Sequence, residues 1–278
     1  MLASLIKLAK AITPPAVQAV IAEFRNHHTL RFFGKTFTGT FSTFKEVNHN
    51  FRGAVVYNSQ ESEQEEIANF TSSQAAIQEA KRGISPQSTD HHSLLCALTA
   101  TLSSQTPTIL DIGGGAGETF AHLIYSCPKQ SPSLIVYELP PIVETAKVIF
   151  KDEKRIHFVD YLTDLNQTID IVFLGSSLQY FEDYPSLLNQ IMAFHPRIII
   201  IAYTPLTSAP TFVTAQVNMR ERVIPIKVIN REELINYLSR FDFVLINQNR
   251  SRSTAHFRNF LSPQNSSSVI NLVFKAKS

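Results

Sequence analysis

The segment Asp111-Ile-Gly-Gly-Gly-Ala-Gly117 sets a carboxylate just ahead of a run of glycines. Gly113, Gly114, Gly115 and Gly117 allow the backbone to turn sharply and approach a ligand where a side chain would collide. The loop follows an apolar run, Thr108 to Ile112, and opens a helical stretch, Glu118 to Cys127, which is the context a ligand cradle requires. Two cofactor classes use such loops. A dinucleotide fingerprint counted from Gly113 needs glycine where Glu118 stands, and an acid at the helix start opposes a pyrophosphate. Asp111 opposes it as well, but suits a ligand carrying an ammonium and a sulfonium. The spacing therefore reads as a cradle for S-adenosylmethionine.

Further candidates stand at the ends of later apolar runs. Glu138 closes Ser133 to Glu138, about 20 residues beyond the glycines, where an acid accepts both hydroxyls of a ribose. Leu139 adjoins it. Asp160 closes Ile156 to Asp160, within reach of an adenine amino group, with Tyr161 next in the chain. After the run Ile169 to Leu174, the segment Gly175 to Asp183 should face the methyl group. Gly175 and Ser176 are assigned there to the cofactor, and Gln179 and Tyr180 to the acceptor or the methionine end.

Methyl transfer is a displacement at a cationic sulfur, so the protein mainly holds the nucleophile in line. A hydroxyl acceptor gains from a general base, for which His91, His92 and Tyr203 are candidates. His91 and His92 read equally as ordinary helix-start residues. Arg220, with Arg222, would grip a phosphate or carboxylate on the acceptor, or simply be solvated. No residue cluster has metal-ligand spacing.

The elements that must position these groups are short apolar runs alternating with helical stretches from Thr108 onward. That alternation predicts an α/β fold, an open and mostly parallel sheet with helices on both faces. In the strand Arg197 to Ala202 every residue after Arg197 is apolar, the mark of a covered central strand. Phe243 to Asn247 and Val269 to Ala276 follow each other without a helix, which predicts an antiparallel hairpin at the C-terminal edge. Residues 1–100 read as a helical N-terminal extension serving as lid or acceptor-binding region, with a strand or extended arm at Phe37 to Phe41. Residues 101–278 read as the cofactor-binding domain, with an insertion at 206–229. The extension and the insertion are expected to build the acceptor pocket together.

The chain has 278 residues, 44% hydrophobic and 17% charged, enough for one good core with an appended subdomain. A net charge of +2 argues against a dedicated nucleic-acid binder. Two cysteines, Cys96 and Cys127, form no disulfide framework, and a cytoplasmic location is the expectation. The start of the chain reads as a short amphipathic helix ended by Pro14-Pro15, packed on the protein or in weak contact with a membrane surface or a partner. The oligomeric state is left open.

Leu110-Asp-Ile-Gly-Gly-Gly-Ala-Gly117, Tyr137-Glu138, Val159-Asp160 and Asp170-Ile-Val-Phe-Leu174 together resemble the ordered motifs of the class I S-adenosylmethionine-dependent methyltransferases. The resemblance covers about residues 108 to 277 and implies a Rossmann-like sheet. The segments Phe33 to Glu46, Gly175 to Tyr180 and Ile201 to Pro205 resemble a little-studied group of bacterial methyltransferases often associated with surface-polysaccharide synthesis. The sequence departs from that group in having no tryptophan near Phe32. The segment from Gly175 also lacks the Asn-Pro-Pro-Tyr motif of many amino-group methylating enzymes. Three functions follow as expectations. The first is methyl transfer to a small-molecule or carbohydrate-linked acceptor, at a hydroxyl. The second is an inactive cofactor-binding partner in a biosynthetic complex, and the third a nicotinamide-dependent oxidoreductase, which Glu118 and Asp111 disfavour.

Overall fold

The computed structural model describes residues 36–51, 63–87, 89–217, 223–252, 255 and 257–277. The amphipathic helix expected at the start of the chain lies outside these residues, as do Phe32, Arg220 and Arg222.

The chain opens with strand β1 (Phe37–Phe41) and helices α1 (Phe44–Asn50), α2 (Glu63–Lys81) and α3 (Asp90–Ala100). Then come β2 (Thr108–Ile112), α4 (Thr119–Ser126), β3 (Ser133–Tyr137), α5 (Pro140–Ile149) and β4 (Ile156–Val159). They are followed by β5 (Ile171–Gly175), α6 (Tyr184–Met192), β6 (Ile198–Thr207), β7 (Phe212–Gln216) and β8 (Ile224–Asn230). Helix α7 (Arg231–Ser239), β9 (Phe243–Arg250) and β10 (Ser268–Ala276) close the chain.

Strands β4-β3-β2-β5-β6 lie side by side and parallel. Strand β10 runs antiparallel between β6 and β9, so the expected hairpin is present but its second strand is the inner one. The sheet is α/β, mostly parallel with an antiparallel edge, as the alternation of elements implies. Successive strand residues enter opposite layers. Ile109, Val136, Ile171 and Ile200 pack with α2, α3, α4 and α5, while Leu110, Ile135, Val172 and Ile201 pack with α6 and α7. Both faces are buried, which is why these strands are apolar without alternation.

Strand order reverses between β2 and β5, and ligands in such sheets lie outside the strand ends at that point. Residues 63–100 share the core of the sheet. Phe70, Ile77 and Leu95 from α2 and α3 are at most 2% exposed among side chains of β2, β3 and β5. Each such side chain contributes about 1.5–3 kcal/mol by leaving water. These helices therefore belong to the packed body.

Strand β1 does become an arm with a purpose. It pairs antiparallel with β7, placing Phe37 opposite Gln216, and β7 pairs antiparallel with β8. β8 rejoins the main sheet alongside the end of β6, at Leu206 and Thr207. The segment after β6 and the segment before α1 thus form one small antiparallel sheet beyond the end of β6. Phe37 stacks on Phe257 at 4.6 Å, which ties this sheet to the loop before β10. Strand β6 runs five residues past Ala202 because it bulges at Tyr203 (φ 54°) and then resumes pairing. The freed Tyr203 N–H is satisfied by Asn271 Oδ1 at 2.8 Å.

Candidate functional site

Asp111 sits near the C-terminal end of β2, opposite Phe173 of β5 and beside Val136 of β3. Its neighbours leave it 2% exposed, and Oδ2 has no hydrogen-bond partner among the described residues. Burial pushes the carboxyl up to about 7, the Thr119 hydroxyl pulls the other way, and the charge of Glu138 adds to the rise. A buried acid with an unmet oxygen is costly unless a ligand completes it.

The loop that follows is built for close approach. A Cβ at Gly114 would lie 2.6 Å from Asp111 Oδ2, and one at Gly117 would lie 2.6 Å from Ile156 Cδ1. At Gly113 it would meet Ser177 Cβ at 2.8 Å, so the loops after β2 and β5 touch at the strand-order reversal. Gly115 differs. A Cβ there meets nothing within 4 Å, so this residue faces open space (φ 56°).

Glu138, 7% exposed, follows β3 and clamps that loop. Its Oε1 accepts the Gly115 N–H at 3.0 Å and its Oε2 accepts the Leu139 N–H at 2.9 Å. Asp160 follows β4 directly and is half-buried, and Tyr161 after it is exposed. The described geometry brings Asp111, the glycines and Glu138 together, with Asp160 at the neighbouring strand end.

On the other side of the reversal, Gly175 ends β5 and Ser176 takes φ 65°, its N–H bonded to Ala202 O at 2.8 Å. Left-handed backbone at Ser176 and Tyr203 costs about 1–3 kcal/mol each, and such strain gathers at functional sites. Gln179 Nε2 donates to Ser176 O at 2.8 Å and to Ser176 Oγ at 3.2 Å. The Tyr180 hydroxyl donates to Gln216 Oε1 at 2.9 Å, tying this loop to β7. Burial raises the Tyr180 phenol above its ordinary range, so it remains a donor at neutral pH.

These residues close around a cavity of about 80 Å³, lined by Ser176, Gln179, Tyr180 and Tyr203 together with Thr36 and Phe37 of the N-terminal arm and Gln216 and Ile226 of the insertion. A larger hollow of about 440 Å³, running from Leu162 to His195, is lined by none of the residues named above.

His91 and His92 open α3 and reach the same region differently. The His92 ring is 4.1 Å from that of His122 on α4, nearly parallel. Its Nδ1 lies 3.0 Å from Thr89 Oγ1 and its Nε2 3.5 Å from Thr119 Oγ1, so both nitrogens are occupied within the core. Burial, with His122 and His91 adding to it, drives His92 down to about 2, and burial drives His122 to about 4. His92 is a neutral packing residue. His91 is half-buried, and its ring lies 5.8 Å from that of Tyr203. Burial lowers it too, partly offset by Asp90.

His122 was not legible as part of this cluster, because nothing in Thr119 to Ser126 distinguishes it from a solvated helix residue. Thr36 and Ile226 enter the cavity only through long-range strand pairing, which leaves no local signal, whereas Gln216 belongs to the segment whose polar residues the sequence singles out for a pocket. Asn271 had none either. Among the described residues no group of three His, Cys, Asp or Glu side chains could hold a metal ion, and no helix is long and apolar enough to cross a membrane. Cys96 and Cys127 are buried free thiols.

No family model matches the chain, and no curated protein does. Among solved structures it is similar to a methyltransferase of Burkholderia thailandensis acting on 1,6-didemethyltoxoflavin, at 18% identity over 80% of this chain and 94% of that one, with a TM-score of 0.43. It is also similar to the magnesium protoporphyrin IX methyltransferase of Synechocystis PCC 6803, at 12% identity over 76% and 98%, TM-score 0.45. An S-adenosylmethionine-dependent methyltransferase of Clostridium acetobutylicum matches at 13% identity over 67% and 90%, TM-score 0.42. With likenesses this distant, the chemistry has to be read from the chain's own site.

Proposed function

We propose that this chain binds S-adenosylmethionine and transfers its methyl group to a hydroxyl of a small-molecule or carbohydrate-linked acceptor. The observation that carries the reading is Asp111, a buried carboxylate with an unpartnered oxygen, lying under Gly114 and beside a second acid, Glu138. Two carboxylates at one glycine loop favour a cationic ligand and disfavour a diphosphate. The unmet Oδ2 and the open face at Gly115 fit such a group.

When bound, the cofactor supplies a methyl group on a positively charged sulfur. Asp111 holds its cationic end, Glu138 its ribose hydroxyls and Asp160 its adenine amino group. Ser176 borders the cavity, where the acceptor would stand. As methyl transfer turns the acceptor hydroxyl into an ether, its proton must leave. The neutral His91 imidazole, beside the cavity-lining Tyr203, takes that proton. His91 Nε2 lies 3.1 Å from the Thr89 hydroxyl, which leaves Nδ1 for that proton, whereas each His92 nitrogen has a threonine hydroxyl beside it. The small sheet of β1, β7 and β8 covers the acceptor and keeps water from the reacting atoms.

The test is turnover. Purified protein is supplied with S-adenosylmethionine and a panel of hydroxylated acceptors, sugars among them, and formation of S-adenosylhomocysteine is followed. Acceptor-dependent product that falls at least about a hundredfold in His91→Ala supports the reading. Cofactor binding without turnover on any acceptor would mark the chain as an inactive cofactor-binding partner.

A further inference from the structure

Gln179 lines the cavity between the sheet and the small antiparallel cover, and it is 3% exposed. Its amide cannot turn over. Nε2 gives hydrogen bonds to the Ser176 carbonyl at 2.8 Å and to Ser176 Oγ at 3.2 Å, and exchanging the two ends would set one acceptor oxygen against another. Oε1 is thereby fixed as an acceptor, and it has no partner among the described residues. A buried amide oxygen left unmet costs about 1–3 kcal/mol, which a ligand that donates to it recovers. Among the described residues no charged side chain lines the cavity, so none of them would serve a cation or an anion there as a counter-ion. The lining is rich in aromatic residues, Phe37, Tyr180 and Tyr203, with Ile226 beside them.

We infer that the cavity admits an uncharged, hydroxylated ring and that Gln179 selects it by accepting a hydrogen bond from a ring hydroxyl. The inference rests on the proposed function for its meaning, since that ring would belong to the methyl acceptor. A sugar and a phenol share this chemistry, because both present a hydroxyl donor on a ring that packs against aromatic faces. An acceptor whose recognised end is a phosphate or carboxylate does not share it. An anion held by Arg220 is the opposite expectation, and the same experiment separates the two.

Saturation-transfer NMR titrations of the full chain, without cofactor, use methyl glucopyranoside, phenol, anisole, benzoate and benzylammonium as probes. Phenol or the glucoside should bind about tenfold more tightly than anisole, which cannot donate, and more tightly than either charged ring. Preference between the first two tells whether the acceptor ring is a sugar or a phenol. In Gln179→Met the advantage over anisole should vanish. Equal binding of benzoate or benzylammonium, no binding of any probe, or an unchanged advantage in the variant would overturn the inference. Should the variant fail to fold, the probe series on the natural chain still decides it. Because no cofactor is present, failure here is distinct from failure of the chain to bind S-adenosylhomocysteine.

Discussion

Glu138 and Gly115 are joined across two strand ends, carboxylate Oε1 to backbone N–H at 3.0 Å. The bond fixes the one loop glycine whose missing side chain opens onto free space, while the other oxygen holds the Leu139 N–H at the start of α5. Glu138 is therefore both a ligand candidate and a structural clamp. Its replacement by alanine should do two things. Cofactor affinity should fall at least about tenfold, from the loss of charge-assisted bonds of roughly 1.5–3 kcal/mol. The unliganded protein should also melt lower, because two part-buried N–H groups lose their acceptor. Calorimetry and thermal melts check both, and an unchanged melt would show that the clamp carries no weight.

Neighbouring glycines should respond in opposite ways. Gly114→Ala forces a methyl to 2.6 Å from Asp111 Oδ2, so it should destabilise the fold by about 1–3 kcal/mol. Gly115→Ala meets no protein atom and should cost only roughly 1–2 kcal/mol for its left-handed backbone. Its effect should appear instead as lost cofactor affinity. Denaturant melts paired with calorimetry separate the two, and full affinity in Gly115→Ala would remove the loop from the ligand.

Asp111 makes a pH prediction with a definite sign. Its carboxyl in the folded protein is raised to about 7 by burial, from an ordinary value of 3.8. The folded state therefore holds the proton more tightly than the unfolded state, and stability falls as pH rises from about 4 to 7. Asp111→Asn removes that loss. The variant should be more stable than the natural protein at pH 8, by a margin that shrinks towards pH 5. Cofactor affinity of the natural protein should weaken below about pH 7, while that of the variant stays low and flat. Melts and binding across this range test it, and a variant less stable at pH 8 would contradict the buried-charge account. The buried histidines, with folded values pushed down to about 2 and 4, act in the opposite sense below pH 6.5 and are common to both proteins.

The Tyr180–Gln216 bond is a side-chain tie between the loop after β5 and the small cover sheet, alongside the bond from Lys227 to the Glu182 carbonyl. Tyr180→Phe and Gln216→Leu should each raise the acceptor KM with little change in cofactor affinity. A double-mutant cycle on stability should give a coupling of about 0.5–1.5 kcal/mol. Additive effects would mean that the tie is incidental.

The strand ends carrying Asp111, Glu138 and Gly175 were readable because each follows a compact apolar run and precedes a helix start. That signal is local. The hairpin was readable for the same reason, but the placement of β10 inside β9 was not, since sequence order says nothing of which strand lies inward. The pairing of Phe37 with Gln216 joins residues far apart in the chain, and both strands look like ordinary short extended segments. The bulge at Tyr203 depends on Asn271 from another strand. His91 and His92 were visible as a pair, but the partner that locks His92 in place, His122, is set by the packing of α3 on α4. What escaped the sequence is long-range contact, which decides how Gln179, Tyr180 and Tyr203, all named from the sequence, meet Thr36 and Ile226 around one cavity.

Isothermal calorimetry with S-adenosylhomocysteine and with NAD, on the natural chain and on Asp111→Asn, decides whether the loop beside Asp111 holds S-adenosylmethionine. The account predicts saturable binding of S-adenosylhomocysteine, loss of at least about tenfold in affinity in the variant, and no binding of NAD. Binding of NAD in place of S-adenosylhomocysteine, or equal affinity in both proteins, would contradict it.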